Sequence, residues 1–215
     1  YKDAAMHANA NFVGFNVVHA RNIEIAWNEV VNTPGLSAVE DNIGLYRAAG
    51  FADSPLRVHD NFLRGGWPVP ADSANWSGSG VTTDGDLAHA DESAWAEATH
   101  NVFIGVPMNI ATGSHHRFFD NTYLSSGLMP DGQTINKCYW CVGGIFNAYQ
   151  AAPALFMDNK ITNFTIGLNQ PPFLPVSGAS EGKAIDGTVL LPGPITVATE
   201  DAANVAFRNA ALAAS

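Results

Sequence analysis

The chain has 215 residues, 47% of them hydrophobic, with twenty acidic against ten basic side chains and a formal charge of −10. That apolar content is too high for a disordered chain, no apolar run reaches the ~18 residues that span a bilayer, and no basic stripe is present to displace counterions from nucleic acid. The acidic balance also disfavours an anionic membrane surface and an acidic polysaccharide, which leaves a neutral partner or one bridged through Ca²⁺.

Tyr1 to Asn11 lack the basic-then-apolar pattern of a signal peptide and read as a processed or truncated N-terminus. From there one word recurs: a strand-like run, often Asp or His, then Asn, then a second apolar run. It occurs as Ile23-Glu-Ile-Ala-Trp-Asn28-Glu-Val-Val, Leu56-Arg-Val-His-Asp-Asn61-Phe-Leu, Ala96-Glu-Ala-Thr-His-Asn101-Val-Phe-Ile, Arg117-Phe-Phe-Asp-Asn121-Thr-Tyr-Leu and Leu155-Phe-Met-Asp-Asn159-Lys-Ile. Successive Asn positions differ by 33, 40, 20 and 38 residues, so one bare repeat takes 20 residues and the others carry loops. A further strand starts 13 residues before three of these Asn, at Phe15, Met108 and Phe146, and Ile43-Gly-Leu-Tyr-Arg and Val81-Thr-Thr-Asp are two more such strands. Each repeat is then three short strands joined by turns. Asn tolerates the left-handed backbone of a tight bend. Stacked repeats would place Asn28, Asn61, Asn101, Asn121 and Asn159 in one ladder of bonded amides.

The repeat word and the Asn column resemble the right-handed parallel β-helix of the pectate-lyase-like superfamily, and more closely secreted bacterial β-helix repeat proteins without a defined activity. The resemblance spans about Phe12 to Leu212. It implies an all-β fold, a right-handed parallel β-helix solenoid with a short C-terminal capping helix. Residues 1–170 would form the coils and 171–198 a Pro/Gly-rich extended loop. Residues 199–213 would form the helix, with Thr199 as N-cap, Glu200 and Asp201 in the first turn, and Ala203, Phe207 and Ala210 on one apolar face. Folds of this kind host lyases, hydrolases, epimerases, adhesins and inert scaffolds, so the fold chooses no activity.

Two loops, Gly65 through Gly80 and Gly127 through Gly143, each follow a third strand and would wall the same side of the stack. They carry Trp67, Trp76, Tyr139 and Trp140. Aromatic rings stack on sugar faces, so Tyr46, Trp76, Tyr139, Trp140 and Tyr149 are expected to bind a glycan, or else to pack the loops down. Trp67, beside proline, is expected to pack. Asp84 and Asp86 in Thr-Thr-Asp-Gly-Asp can share acid and base roles in glycoside hydrolysis, hold Ca²⁺ through hard oxygens, or simply make a polar turn. Arg47 on the same face is either a catalytic cation or half of a surface salt bridge. Cys138 and Cys141 form a local disulfide or remain free thiols; the former suits an oxidising compartment.

No catalytic set of the lyases or hydrolases carries over. The expectation is a secreted, extracellular or cell-surface protein that acts on a polysaccharide or glycan as a lyase or hydrolase along the first-strand groove. Ca²⁺ is the one cofactor in view. The alternative is a non-catalytic structural, surface or assembly component that self-assembles through an uncapped N-terminal end.

Overall fold

The computed structural model describes residues 10–37, 39–67, 70, 78–85, 87–135, 145–147, 158–169, 176–177 and 186–215. The chain runs in passes of three strands. The first pass is β1 (Val13–Asn16), β2 (Glu24–Ala26) and β3 (Glu29–Val31); the second is β4 (Asp41–Tyr46), β5 (Leu56–His59) and β6 (Phe62–Arg64). The third is β7 (Ser79–Asp84), β8 (Ala96–Thr99) and β9 (Val102–Ile104), the fourth β10 (Met108–Ile110), β11 (Arg117–Phe119) and β12 (Thr122–Ser125). The fifth is β13 (Ile145–Asn147), β14 (Lys160–Thr162) and β15 (Thr165–Leu168), followed by β16 (Val176–Ser177), β17 (Val189–Leu190) and the helix α1 (Val197–Ala214).

Strands in the same position of successive passes pair in parallel and build three sheets. Their orders are β1-β4-β7-β10-β13-β16, then β14-β11-β8-β5-β2, then β17-β15-β12-β9-β6-β3. Alternation sends one row of each strand inward. Ile43, Leu45 and Val81 from the first sheet meet Leu56, Val58 and Phe118 from the second and Leu63, Phe103 and Tyr123 from the third in one fully buried cluster.

The bend between the second and third sheets follows one rule. The left-handed residue is the one before the repeat Asn: Trp27, Asp60, His100 and Asp120 have φ of 59°, 51°, 54° and 54°, and Asn163 takes the same place before Phe164 in the fifth pass with φ of 58°. The expectation that the Asn itself takes this conformation is therefore corrected. The Asn side chain has another task. A strand that bends away leaves a backbone N–H without a sheet partner, and the carboxamide of the next pass supplies one. Asn28 N–H donates to Asn61 Oδ1 at 3.0 Å, Asn61 N–H to Asn101 Oδ1 at 3.1 Å, and Asn101 N–H to Asn121 Oδ1 at 2.9 Å. Each Nδ2 donates to the same Oδ1 at 2.9 Å, and Asn61, Asn101 and Asn121 also donate at 2.8 Å to a carbonyl of the preceding pass.

Asn159 does not extend this column. Thr122 pairs with Thr165, so the position stacked on Asn121 is Phe164, which is buried in the core. Asn159 stands five residues earlier, where its Oδ1 accepts His116 N–H at 2.8 Å and its Nδ2 donates to Gly113 O at 2.9 Å. The Asp-Asn word is the same, but here it precedes a second-sheet strand instead of following one.

The helix begins at Val197 with Thr196 as its N-cap, and Thr199, expected as the cap, closes the capping box from the third position. It lies on the outer face of the third sheet. Phe62, Ile104 and Leu124 point outward there and pack with Ile195, Ala203 and Phe207. Arg64 pairs with Glu200 at 3.2 Å and Asp201 at 2.6 Å, and Arg208 reaches Glu29 of the first pass at 2.6 Å. Eighteen residues make about 27 Å of helix, and five strand spacings make about 24 Å, so the helix crosses the whole sheet. The last strand is left uncovered on its inner side, with Leu190 67% exposed although its register partner is the core residue Ile166.

Candidate functional site

The outer face of the first sheet carries the residues singled out from sequence. Asn16, Tyr46 and Asp84 are register partners and share one row across β1, β4 and β7. Asp84 is half-buried; burial raises its carboxyl above the usual carboxylate range, against a 2.7 Å bond from Gly85 N–H. Arg47 follows Tyr46 in a left-handed conformation with φ of 48°, and its N–H donates to Asp84 O at 2.7 Å. Its guanidinium is held by Glu92, with Nε at 2.8 Å and Nη2 at 2.6 Å from the same oxygen. Glu92 ends the short 3₁₀ segment Leu87–Glu92, so this ion pair ties that segment to the second pass. Gly85 keeps the space clear: a Cβ there would lie 3.4 Å from Arg47 Cγ and 3.1 Å from Thr112 Oγ1.

Asp86, Trp76, Tyr139, Trp140, Tyr149, Cys138 and Cys141 lie outside the described residues. Trp67 is buried with Met129 and Ile135, which joins the two loops, and its Nε1 donates to Asn32 O at 2.9 Å. Among the described residues, no three His, Cys, Asp or Glu side chains are grouped to hold a metal ion.

The same face holds a polar cluster that sequence reasoning missed. Asp41 opens β4 opposite Ser79 of β7, and Thr82 of β7 pairs with Asn109 of β10. Thr82 Oγ1 donates to Asp41 Oδ1 at 2.6 Å, Asn109 Nδ2 donates to Ser79 Oγ at 2.6 Å and reaches Thr82 Oγ1 at 3.4 Å. The Ser79 hydroxyl also bonds the Asp41 carboxyl. Burial pushes that carboxyl up to about 6, against the pull of these two hydroxyls. Only the register brings residues 41, 79, 82 and 109 together, so no local motif announces them.

The second sheet is self-paired on its outside. Glu24, Arg57, Glu97, Arg117 and Lys160 are successive register partners, a column of mostly alternating charge. His59 sits beside it with Nε2 at 2.7 Å from Glu24 and Nδ1 at 2.7 Å from Asp60. Burial alone would lower its pKa; the bonds to Asp60 and Glu24 outweigh it and raise the value. His116 is the opposite case. It is fully buried, and its Nδ1 accepts Ala96 N–H at 3.1 Å, so the proton sits on Nε2, 3.3 Å from Thr112 O. Burial pushes its pKa down to about 3.

Comparison of the chain with protein-family models, with curated proteins and with solved structures finds no match in any of the three.

Proposed function

We propose that the three parallel sheets wind as a right-handed β-helix of the pectate-lyase-like kind, and that the protein is secreted and binds or cleaves a polysaccharide along the outer face of the first sheet. Parallel crossover connections are right-handed almost without exception, which supports the hand. The observation that carries the functional reading is the contrast among the three outer faces. The third is covered by α1, and the second is occupied by its own ion pairs. The first keeps Tyr46, Asp84 and Asn16 in a row, with Arg47 and Glu92 at its edge. An aromatic ring beside carboxyl and amide groups suits a neutral, hydroxyl-rich ligand. A carboxyl raised by burial is suited to donate a proton, and Asp86 stands two residues beyond it in sequence.

The test is incubation with a polysaccharide panel, with and without Ca²⁺. New reducing ends or unsaturated products are expected from the wild type and not from Asp84→Asn. No product across the panel would overturn catalysis.

A second reading, a non-catalytic assembly component of a cell surface, is favoured by one observation. Phe12, Val17, Val31 and Leu36 of the first pass are large apolar side chains at about half exposure, and burying them against another copy would be favourable. Light scattering over a dilution series tests it, and a monomer at every concentration would end it.

A further inference from the structure

Unfinished contacts gather at the two ends of the stack. Phe12, Val17, Trp27, Val31 and Leu36 lie exposed in the first pass and Val189 and Leu190 in the last, while among the described residues the third, fourth and fifth passes expose no large apolar side chain. The core opens in the same places. The side chains only partly buried against it are Val13, Phe15 and Ile23 of the first pass and Ile161 and Leu168 of the fifth. In the third sheet one inward column runs by register through Val30, Leu63, Phe103, Tyr123, Ile166 and Leu190, and it breaks off at the exposed Leu190. The amide ladder is cut at the opposite end. Asn61, Asn101 and Asn121 each accept at Oδ1 two bonds from the pass before, whereas no described group donates to Asn28 Oδ1.

We propose that each end is completed by a second copy of this chain, stacked so that the last pass of one copy pairs in parallel with the first pass of the next. The proposal rests on the second reading above, an assembly component, and names its partner. In this arrangement β17 lies beside β3 of the next copy. Leu190 then continues its column onto Val30, and Asn28 Oδ1 gains a preceding pass to accept from, as the other ladder oxygens have. The helix fits the same repeat. Phe207 rests on Trp27 and Phe62, and Arg208 reaches Glu29 of the first pass. The remaining residues to Ala214 therefore run about 9 Å past that pass, or about two strand spacings. Ala211 and Ala214 follow Ala203 and Phe207 on the sheet-facing side at helical spacing, and they would cover β17 of the neighbouring copy, where Val189 is exposed. The first and third sheets each have six strands, a rise of about 29 Å against about 27 Å of helix, so the helices of successive copies would follow one another end to end. Charge selects unlike ends. The outer column of the second sheet begins with Glu24 and closes with Arg117 and Lys160. Unlike ends bring the negative start toward the positive close, whereas two first passes would set Glu24 against itself. Such a contact does not close on itself, so its product is a filament.

The experiment is sedimentation velocity with negative-stain imaging over a concentration series of the wild type, beside Leu190→Glu and Val31→Glu, which change exposed side chains at opposite ends. The wild type is expected to form filaments with one copy per roughly 29 Å of rise, a reading that needs no variant. Each variant, charged at one end, should need at least about ten times the concentration to assemble. An equimolar mixture of the two should stop at a dimer joined through the two unaltered ends. A wild type that is monomeric at every concentration would end both this proposal and the assembly reading. A closed wild-type dimer, or filaments of Leu190→Glu that form as readily as those of the wild type, would overturn the end-to-end stack alone.

Discussion

On the third sheet the outward positions are Phe62, Ile104 and Leu124, and a helix from the end of the chain lies over them. On the first sheet the outward positions of the middle passes are Gly44, Thr82 and Asn109, then Tyr46 and Asp84. The inner faces of the two sheets are alike, each a row of aliphatic and aromatic side chains in the same core. Outward chemistry therefore separates an apolar face from a polar one, on which Gly44, Thr82 and Asn109 are buried too and Tyr46 and Asp84 half-buried. Gly167 shows how closely the cover is fitted, since a Cβ there would come within 2.7 Å of Ile195 and 2.9 Å of Leu124. The buried Arg64–Glu200 pair fixes the helix at one place, because a buried charge stripped of its partner costs several kcal/mol.

The largest test removes an aromatic side chain from each face in turn. Phe62→Ala should destabilise the protein by about 3–5 kcal/mol in denaturant unfolding, as expected for a fully buried ring. Tyr46→Ala, at a half-buried position on the first face, should cost less than about 1.5 kcal/mol. Equal losses would mean that Tyr46 is packed as tightly as Phe62.

The ladder between the second and third sheets links the first four passes and should respond next. Asn101→Leu leaves Asn61 N–H and Nδ2 without their acceptor and Val58 O without its donor. A loss of about 2–4 kcal/mol follows from these stranded groups. Because the left-handed residue is His100, with φ of 54°, His100→Gly should be tolerated. An unchanged unfolding midpoint for Asn101→Leu would refute the role assigned to the amide.

The two histidines sharpen the contrast between interior and surface through pH. The folded pKa of His116 lies below the unfolded value, so the unfolded chain takes up the proton first. Its contribution is fully present above about pH 6.5 and is lost as pH falls toward 3, by about 2 kcal/mol between pH 6.5 and 5. His59 has the opposite sign: its contribution is present below the unfolded pKa and is lost as pH rises through the raised folded one. Comparing wild type with His116→Gln across this window should remove the acid-side slope; parallel curves would contradict a neutral, buried His116.

The smallest expected effect on stability is that of Asp84→Asn, within about 0.5 kcal/mol, measured beside its activity on the panel. A large loss of stability would recast Asp84 as a structural group and weaken the reading of the first face as a binding surface.

Much of the architecture was written into the order of residues. The apolar alternation around Ile43, Val81, Met108, Val58 and Phe118 marks strands, because a half-buried strand needs a period of two whatever its neighbours do. The recurrence of Asn28, Asn61, Asn101 and Asn121 in one word marks a shared bend, since each pass must satisfy the same N–H at the same place. Tertiary structure decided the rest. The same Asp-Asn word at Asn159 sits at a different bend, and only register, set across loops of unequal length, distinguishes the two. The helix was visible in the sequence over 199–213, but its start three residues earlier at the Thr196 cap and its place on the third sheet were not; the latter rests on Phe62, Ile104 and Leu124, which are more than seventy residues away in sequence. The cluster of Asp41, Ser79, Thr82 and Asn109 had no local signal at all, because its members become neighbours only when parallel strands from three passes lie side by side.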